Sequence, residues 1–160
     1  MNLEVRMTFT NMLLRECDLN DEYCNMILRA MDNGFGNRVI VASDILEEYL
    51  IKNFPNLKLI SSITKGGDFN TFKESFDKNY DMVVIHPKKN ILKFLEENTS
   101  LEERQHIEVL LKSGCSNCPM TKKHYETESF NNLYPDLAIK NFQCFKSTAA
   151  YRNLKVLPEE

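Results

Sequence analysis

Arg38-Val39-Ile40-Val41-Ala42-Ser43-Asp44-Ile45-Leu46-Glu47-Glu48-Tyr49-Leu50 passes from one structural period to another within a single stretch. Arg38 to Ala42 is a short apolar run rich in β-branched residues, the mark of a strand buried in a sheet. From Asp44 the pattern turns helical and runs to Asn53. Asp44 and Glu47 form an Asp-x-x-Glu variant of the capping box, and Pro55 forbids continuation beyond the preceding residues. A strand that leads straight into a helix is the repeating unit of an α/β protein.

The unit recurs outward in both directions. Leu3 to Thr10, Leu57 to Ile63, Asp81 to His86 and His106 to Leu111 read as four further strands. Asp21 to Met31 is an amphipathic helix, with Cys24, Ile27, Leu28 and Met31 on one stripe and Asn33-Gly34 as its stop signal. Asn70 to Lys78 pairs Phe72 with Phe76, and Asn90 to Glu97 groups Ile91, Phe94 and Leu95. Thr99 and Glu102 give a second capping-box signature, followed by room for only a turn or two of helix. Repeated strand-helix-strand connections are right-handed and build a parallel sheet. A partial or truncated TIM-like (β/α) barrel and an open doubly wound sheet both satisfy the pattern. With 160 residues and no internal repeat, a single α/β domain over residues 1–160 is expected, with 146–160 as a tail.

In either architecture ligands collect at the carboxyl ends of the strands. Those exits carry Thr8, Thr10 and Asn11; Ser43 and Asp44; Ser61, Ser62 and Thr64; His86; and Ser113, Cys115 and Cys118. Serines and threonines are equally what caps helices and forms turns. His86 and His124 are candidates for a ligand or a general base, whereas His106 begins a strand at the opposite end. No Gly-rich phosphate loop, G-x-S-x-G elbow or H-E-x-x-H helix occurs, so no catalytic residue can be named.

Composition narrows the class. Hydrophobic residues make up 42% and charged residues 27%, as in an ordinary globular protein. A formal charge of -3 gives no broad attraction to nucleic acid or to an anionic membrane. The lysine pairs Lys88-Lys89 and Lys122-Lys123 read as solvated faces. No run approaches a membrane span, and the first residues lack the pattern of a signal peptide. Five cysteines, an odd number, fit reduced thiols in a cytoplasm better than a disulfide framework.

The chemistry that remains is thiol chemistry. Cys115-Ser116-Asn117-Cys118-Pro119 follows the last apolar run, and two thiols at this spacing can grip one metal. Cys24 and Cys144 complete a four-thiolate set suited to a [4Fe–4S] cluster or to zinc. Each has a plainer reading. Cys24 lies on an apolar helical stripe and Cys144 stands between Phe142 and Phe145, where a cysteine acts as a small hydrophobe. Cys17 has no ligand role. Redox exchange at the pair is a further reading, since Pro119 and the helical pattern from Met120 would put a thiol near a helix N-terminus.

Several of these stretches together resemble a known family. Arg6-Met7-Thr8-Phe9-Thr10-Asn11, Asn20 to Asn25, Val39 to Leu50, Pro55 to Lys65, Cys118-Pro119 and His124-Tyr125 occur in an order similar to that of bacterial proteins related to the peptidase U32 family. The resemblance covers residues 6 to 145. It implies a TIM-barrel-like domain and an iron–sulfur cluster in some members, and it points to no single reaction. The chain departs from the family in length, in lacking a later K-I-E-G-R-type motif, and in carrying Met120 and Thr121 where basic residues are expected. Five strands do not close an eight-stranded barrel. The alternative to a cluster-binding protein is therefore a non-catalytic truncated barrel, a binding or assembly module that pairs with another copy or a partner subunit. A peptidase ranks last.

Overall fold

The computed structural model describes residues 3–65, 74, 80–85, 91–110 and 121–140. Five strands, β1 (Arg6–Phe9), β2 (Arg38–Val41), β3 (Lys58–Ser61), β4 (Met82–Ile85) and β5 (Ile107–Val109), form one sheet. Their order is β1-β2-β3-β4-β5 and every pairing is parallel. Among the described residues the helices include α1 (Glu22–Met31), α2 (Asp44–Asn53), α3 (Ile91–Asn98), α4 (Leu101–Gln105) and α5 (Thr121–Leu133). The α/β class with five parallel strands is thus as the sequence pattern requires.

Register assigns every strand residue to a face, because cross-strand partners point the same way and neighbours along a strand alternate. Met7, Val39 and Leu59 share one row, and Phe9, Val41, Ser61, Val83 and Ile107 share another on the same face. Onto that face pack Leu28 and Met31 of α1, Leu46 and Leu50 of α2 and Leu95 of α3, with Phe54, Leu57 and Tyr80 from the connections. Val39, Val41, Leu50 and Ile60 are fully buried. Replacing one such leucine by alanine costs about 2–5 kcal/mol. Every strand residue of this core cluster belongs to the one helix-bearing face.

The opposite face carries Arg6, Arg38 and Lys58 in one row and Thr8, Ile40, Ile60 and Met82 in the next, followed by Val84 and Glu108. Arg6 of β1 pairs with Glu108 of β5 across this face, and its Nη2 lies 3.7 Å from Met82 Sδ. Strands sit about 4.8 Å apart, so four steps of a flat sheet span roughly 19 Å. An arginine and a glutamate cannot jointly bridge that. The sheet therefore curls, with this face on the inside.

Local structure corrects the sequence reading at three helix starts. Ser43, not Asp44, is the N-cap of α2, and it makes no side-chain cap bond. The carboxylates of Asp44 and Glu47 turn instead to Lys65. The second capping box is shifted by one residue, with Ser100 Oγ accepting from the Glu103 amide at 3.1 Å and Glu103 returning the bond to the Ser100 amide at 2.6 Å. At α1 the helix begins one residue later than read from sequence, and Asp21 is its N-cap, with Oδ1 accepting from the Cys24 amide at 2.7 Å. The loop that follows passes through Gly34 and Gly36, both at φ 78°, where a Cβ would be strained. It delivers buried Asn37, whose amide donates to Met31 O and whose oxygen accepts from the Val5 amide. One side chain thereby fixes the entries of both β1 and β2.

Candidate functional site

Parallel strands in unbroken order place all five carboxyl ends on one rim. At the exit of β1, Thr8 is exposed on the inner face, and Asn11 Nδ2 donates to Ser129 O of α5 at 2.9 Å. The Met12 amide donates to Ser129 Oγ at 3.1 Å. At the exit of β3, buried Ser62 and half-buried Thr64 share a hydroxyl hydrogen bond of 2.9 Å. Ser61 is also buried, but on the helix-bearing face. The polar exits expected of β1, β2 and β3 lie among the described residues, where Asn11, Ser62 and Thr64 are used up in turns and cross-links, and those expected of β4 and β5 lie outside them.

The densest electrostatic feature near the rim lies between α2 and the segment after β3. Lys65 Nζ contacts Asp44 Oδ1 at 2.6 Å and Tyr80 Oη at 2.9 Å, and it pairs with Glu47 Oε2. Tyr80 donates to the same Glu47 oxygen. Glu47 and Tyr80 are buried and Asp44 is exposed. Burial works to lower the Lys65 pKa, but its bonds to Asp44, Glu47 and Tyr80 outweigh that and raise it above the ordinary lysine range. Burial, reinforced by the bond to Glu47, raises the Tyr80 phenol. Lysine and tyrosine are thus both locked in their protonated forms. Sequence alone offered no sign of this cluster, because its members stand far apart and Asp44 and Glu47 looked like helix caps.

At the amino-terminal end a second network crosses the inner face. Arg38 pairs with Glu4 and with Asp81, Lys58 Nζ reaches Asp81 Oδ1 at 3.1 Å, and Arg6 Nε reaches Glu4 Oε1 at 3.3 Å. Burial works to raise the Asp81 carboxyl, but hydrogen bonds from Arg38 and Lys58 hold it below the usual carboxylate range. Hydrogen bonding to Arg38 lowers Glu4. His106, the C-cap of α4, lies at this end too, with Nδ1 2.6 Å from Asp81 O.

Of the proposed thiol ligands, Cys115, Cys118 and Cys144 lie outside the described residues, as does His86. Cys24 stands in the first turn of α1, half-buried. Burial pushes its thiol up, and the bond to Asp21 adds to the shift, so its thiolate is disfavoured. Cys17 is exposed, with Sγ 3.7 Å from Asp18 Oδ1. His124 of α5 places Nε2 3.4 Å from Glu128 Oε1 and stacks on the Tyr125 ring. Among the described residues no three His, Cys, Asp or Glu side chains come together as a metal site. Lys122 and Lys123 are exposed, as expected of a solvated face. Among the described residues no helix is long and apolar enough to cross a membrane.

An open groove of about 680 Å³ lies on the outer surface between α1 and α2, lined by Asn20, Glu22, Tyr23, Met26, Arg29 and Tyr49 among others. It is remote in character from the rim, being formed on helix exteriors. No protein-family model, curated protein or solved structure matches the chain.

Proposed function

We propose that this chain is a wall of a TIM-like (β/α) barrel whose carboxyl rim binds a metal ion or a [4Fe–4S] cluster through Cys115 and Cys118, with Cys144 and Cys24 as weaker candidates for the remaining ligands. The contact between Arg6 and Glu108 carries the barrel reading. In an eight-stranded barrel the first and fifth strands face each other across an interior just wide enough for side chains to fill. A doubly wound sheet would instead reverse its strand order and carry helices on both faces. The U32-like resemblance points to the same architecture.

The cysteine reading follows from the rim. β5 ends at Val109, close ahead of the stretch that holds Cys115 and Cys118. Protein purified without oxygen is expected to carry iron with thiolate-to-iron absorbance, or zinc without colour. Either metal should be lost in Cys115→Ser and in Cys118→Ser. Metal-free wild-type protein, with stability unchanged in both variants, would reject the site. We assign no reaction to it.

A second reading, an assembly module without catalysis, is favoured by the strand count. The five strands among the described residues supply only part of a barrel wall, and β1 and β5 meet there through side chains instead of a backbone ladder. A mass in solution corresponding to two copies would support this reading, and a monomer at all concentrations would remove self-pairing.

A further inference from the structure

We infer that the outer face of α1 is a self-complementary contact surface, on which two copies of this chain pair antiparallel about a two-fold axis close to Met26. The inference rests on the self-pairing reading above and moves the contact from the strands to the helix exteriors.

α1 buries one side and shows the other. Asn25, Leu28 and Met31 are buried, whereas Glu22, Tyr23, Met26, Arg29 and Ala30 are exposed. The exposed residues recur at i, i+1, i+4, i+7 and i+8, a second continuous stripe on the same helix. Its middle is apolar, with Tyr23 and Met26 keeping 71% and 51% of their exposure. Tyrosine, methionine and arginine are residue types enriched where protein surfaces meet.

The groove beside this stripe, lined by Tyr23, Met26, Arg29 and Tyr49, is built in advance. Asn25 Nδ2 donates to Leu19 O at 2.7 Å and to Asp21 O at 2.8 Å, and its oxygen accepts from Tyr49 Oη at 2.6 Å. The Tyr49 ring stands edge-on to Phe54, with centroids 5.9 Å apart. A wall fixed before contact adds little ordering cost on binding.

The order of features along the stripe selects the partner. Glu22 stands in the first turn of α1 and Arg29 in the last. With 3.6 residues per turn, these two lie on one flank of Met26, and Tyr23 and Ala30 lie on the other. A two-fold axis across the helix at Met26 keeps each flank on its own side and reverses its direction. Glu22 then meets Arg29 of the second copy, the Tyr23 ring covers Ala30 of the second copy, and the two Met26 side chains pack together. Symmetry makes each of the first two contacts twice. A foreign partner would need this order of charge and bulk in reverse, whereas a second copy supplies it by symmetry.

Sedimentation equilibrium of the full chain tests the pairing. The wild type should reach the mass of two copies, with a roughly micromolar dissociation constant, as suits a contact of small extent. Glu22→Arg and Arg29→Glu should each weaken pairing about tenfold or more, because symmetry doubles each repulsion. An equimolar mixture of these two variants should pair again as a hybrid, with roughly the wild-type affinity. Met26→Glu should abolish pairing and leave the circular dichroism spectrum unchanged, since its position is exposed. A wild type that stays monomeric overturns both this surface and the self-pairing reading. If the wild type pairs but the reversals or Met26→Glu have no effect, or the mixture stays apart, only the α1 surface is overturned and self-pairing remains with the strands.

Discussion

At the amino-terminal end of the sheet, Glu4, Arg6, Arg38, Lys58, Asp81 and Glu108 meet on the inner face, three cations against three carboxylates. Near the carboxyl rim the charges gather on the other side, where Lys65, Glu47 and Tyr80 are sealed between α2 and the sheet. The Arg6 and Glu108 side chains keep 41% and 34% of their exposure, whereas Lys65 and Glu47 keep 13% and 9%. Water screens the first pair and scarcely reaches the second. Ion pairs of similar geometry should therefore contribute very differently. The inner network shapes the curl of the sheet, while the buried cluster ties a helix to it.

The sharpest way to break that contrast is to remove one charge from each. Lys65→Met leaves the Glu47 carboxylate buried with only Tyr80 to bond it, and an unpaired buried charge costs about 3–5 kcal/mol. Arg6→Met keeps the aliphatic stem and loses two half-exposed pairs, with Glu4 and Glu108, which together cost about 1 kcal/mol. Urea unfolding of the two variants should show the first destabilised severalfold more than the second. Equal losses would mean that burial does not separate the two networks.

A smaller effect sharpens the amino-terminal side. Asp81 accepts from both Arg38 and Lys58 and is mostly shielded, so Asp81→Asn should cost about 1.5–3 kcal/mol near neutral pH. Its carboxyl is depressed in the folded state, so it binds its proton less readily there than in the unfolded chain, near pKa 3.9. The stabilisation is fully present above about pH 4 and is lost as the pH falls through the folded-state value. Stability of the wild type should fall with acid in that window, and the slope should be shallower in Asp81→Asn. Parallel acid profiles would remove Asp81 from the network.

The sequence made one of these faces far easier to read than the other. The apolar run Arg38 to Ala42 and the stripe of Leu28 and Met31 announce a buried strand and the helix face that packs against the sheet, because that burial leaves a local signature in the sequence. The inner face imposes none. Arg6 and Glu108 are 102 residues apart, and only the strand register brings them together. Their charges within strands look like strand ends. Asp44 and Glu47 show how a local motif misleads: the spacing fits a cap, but a lysine from beyond β3 competes successfully for both carboxylates. In Thr99-Ser100-Leu101-Glu102-Glu103 the capping spacing fits twice, and sequence cannot choose between the two registers. The strand exits were legible as a polar set. Ser62 and Thr64 spend their hydroxyls on each other in a local turn, whereas the bond from the Asn11 amide to Ser129 O depends on tertiary packing alone.

The smallest effect concerns Cys24, which belongs to neither network. Sequence offers it both as a fourth thiolate and as part of an apolar stripe, and in the structure it stands beside Asp21 in the first turn of α1. It is half-buried on α1, its thiol is pushed up by burial, and its amide caps onto Asp21. A ligand thiolate would need the opposite shift, or a metal strong enough to impose it. Cys24→Ser should therefore change stability by no more than about 0.5–1 kcal/mol and leave the metal content of anaerobically purified protein as it was. Loss of metal in Cys24→Ser equal to that in Cys115→Ser would instead bring α1 into the site. It would also mean that the rim, unlike the amino-terminal end, draws its chemistry from the outer helices as well as from the strand exits.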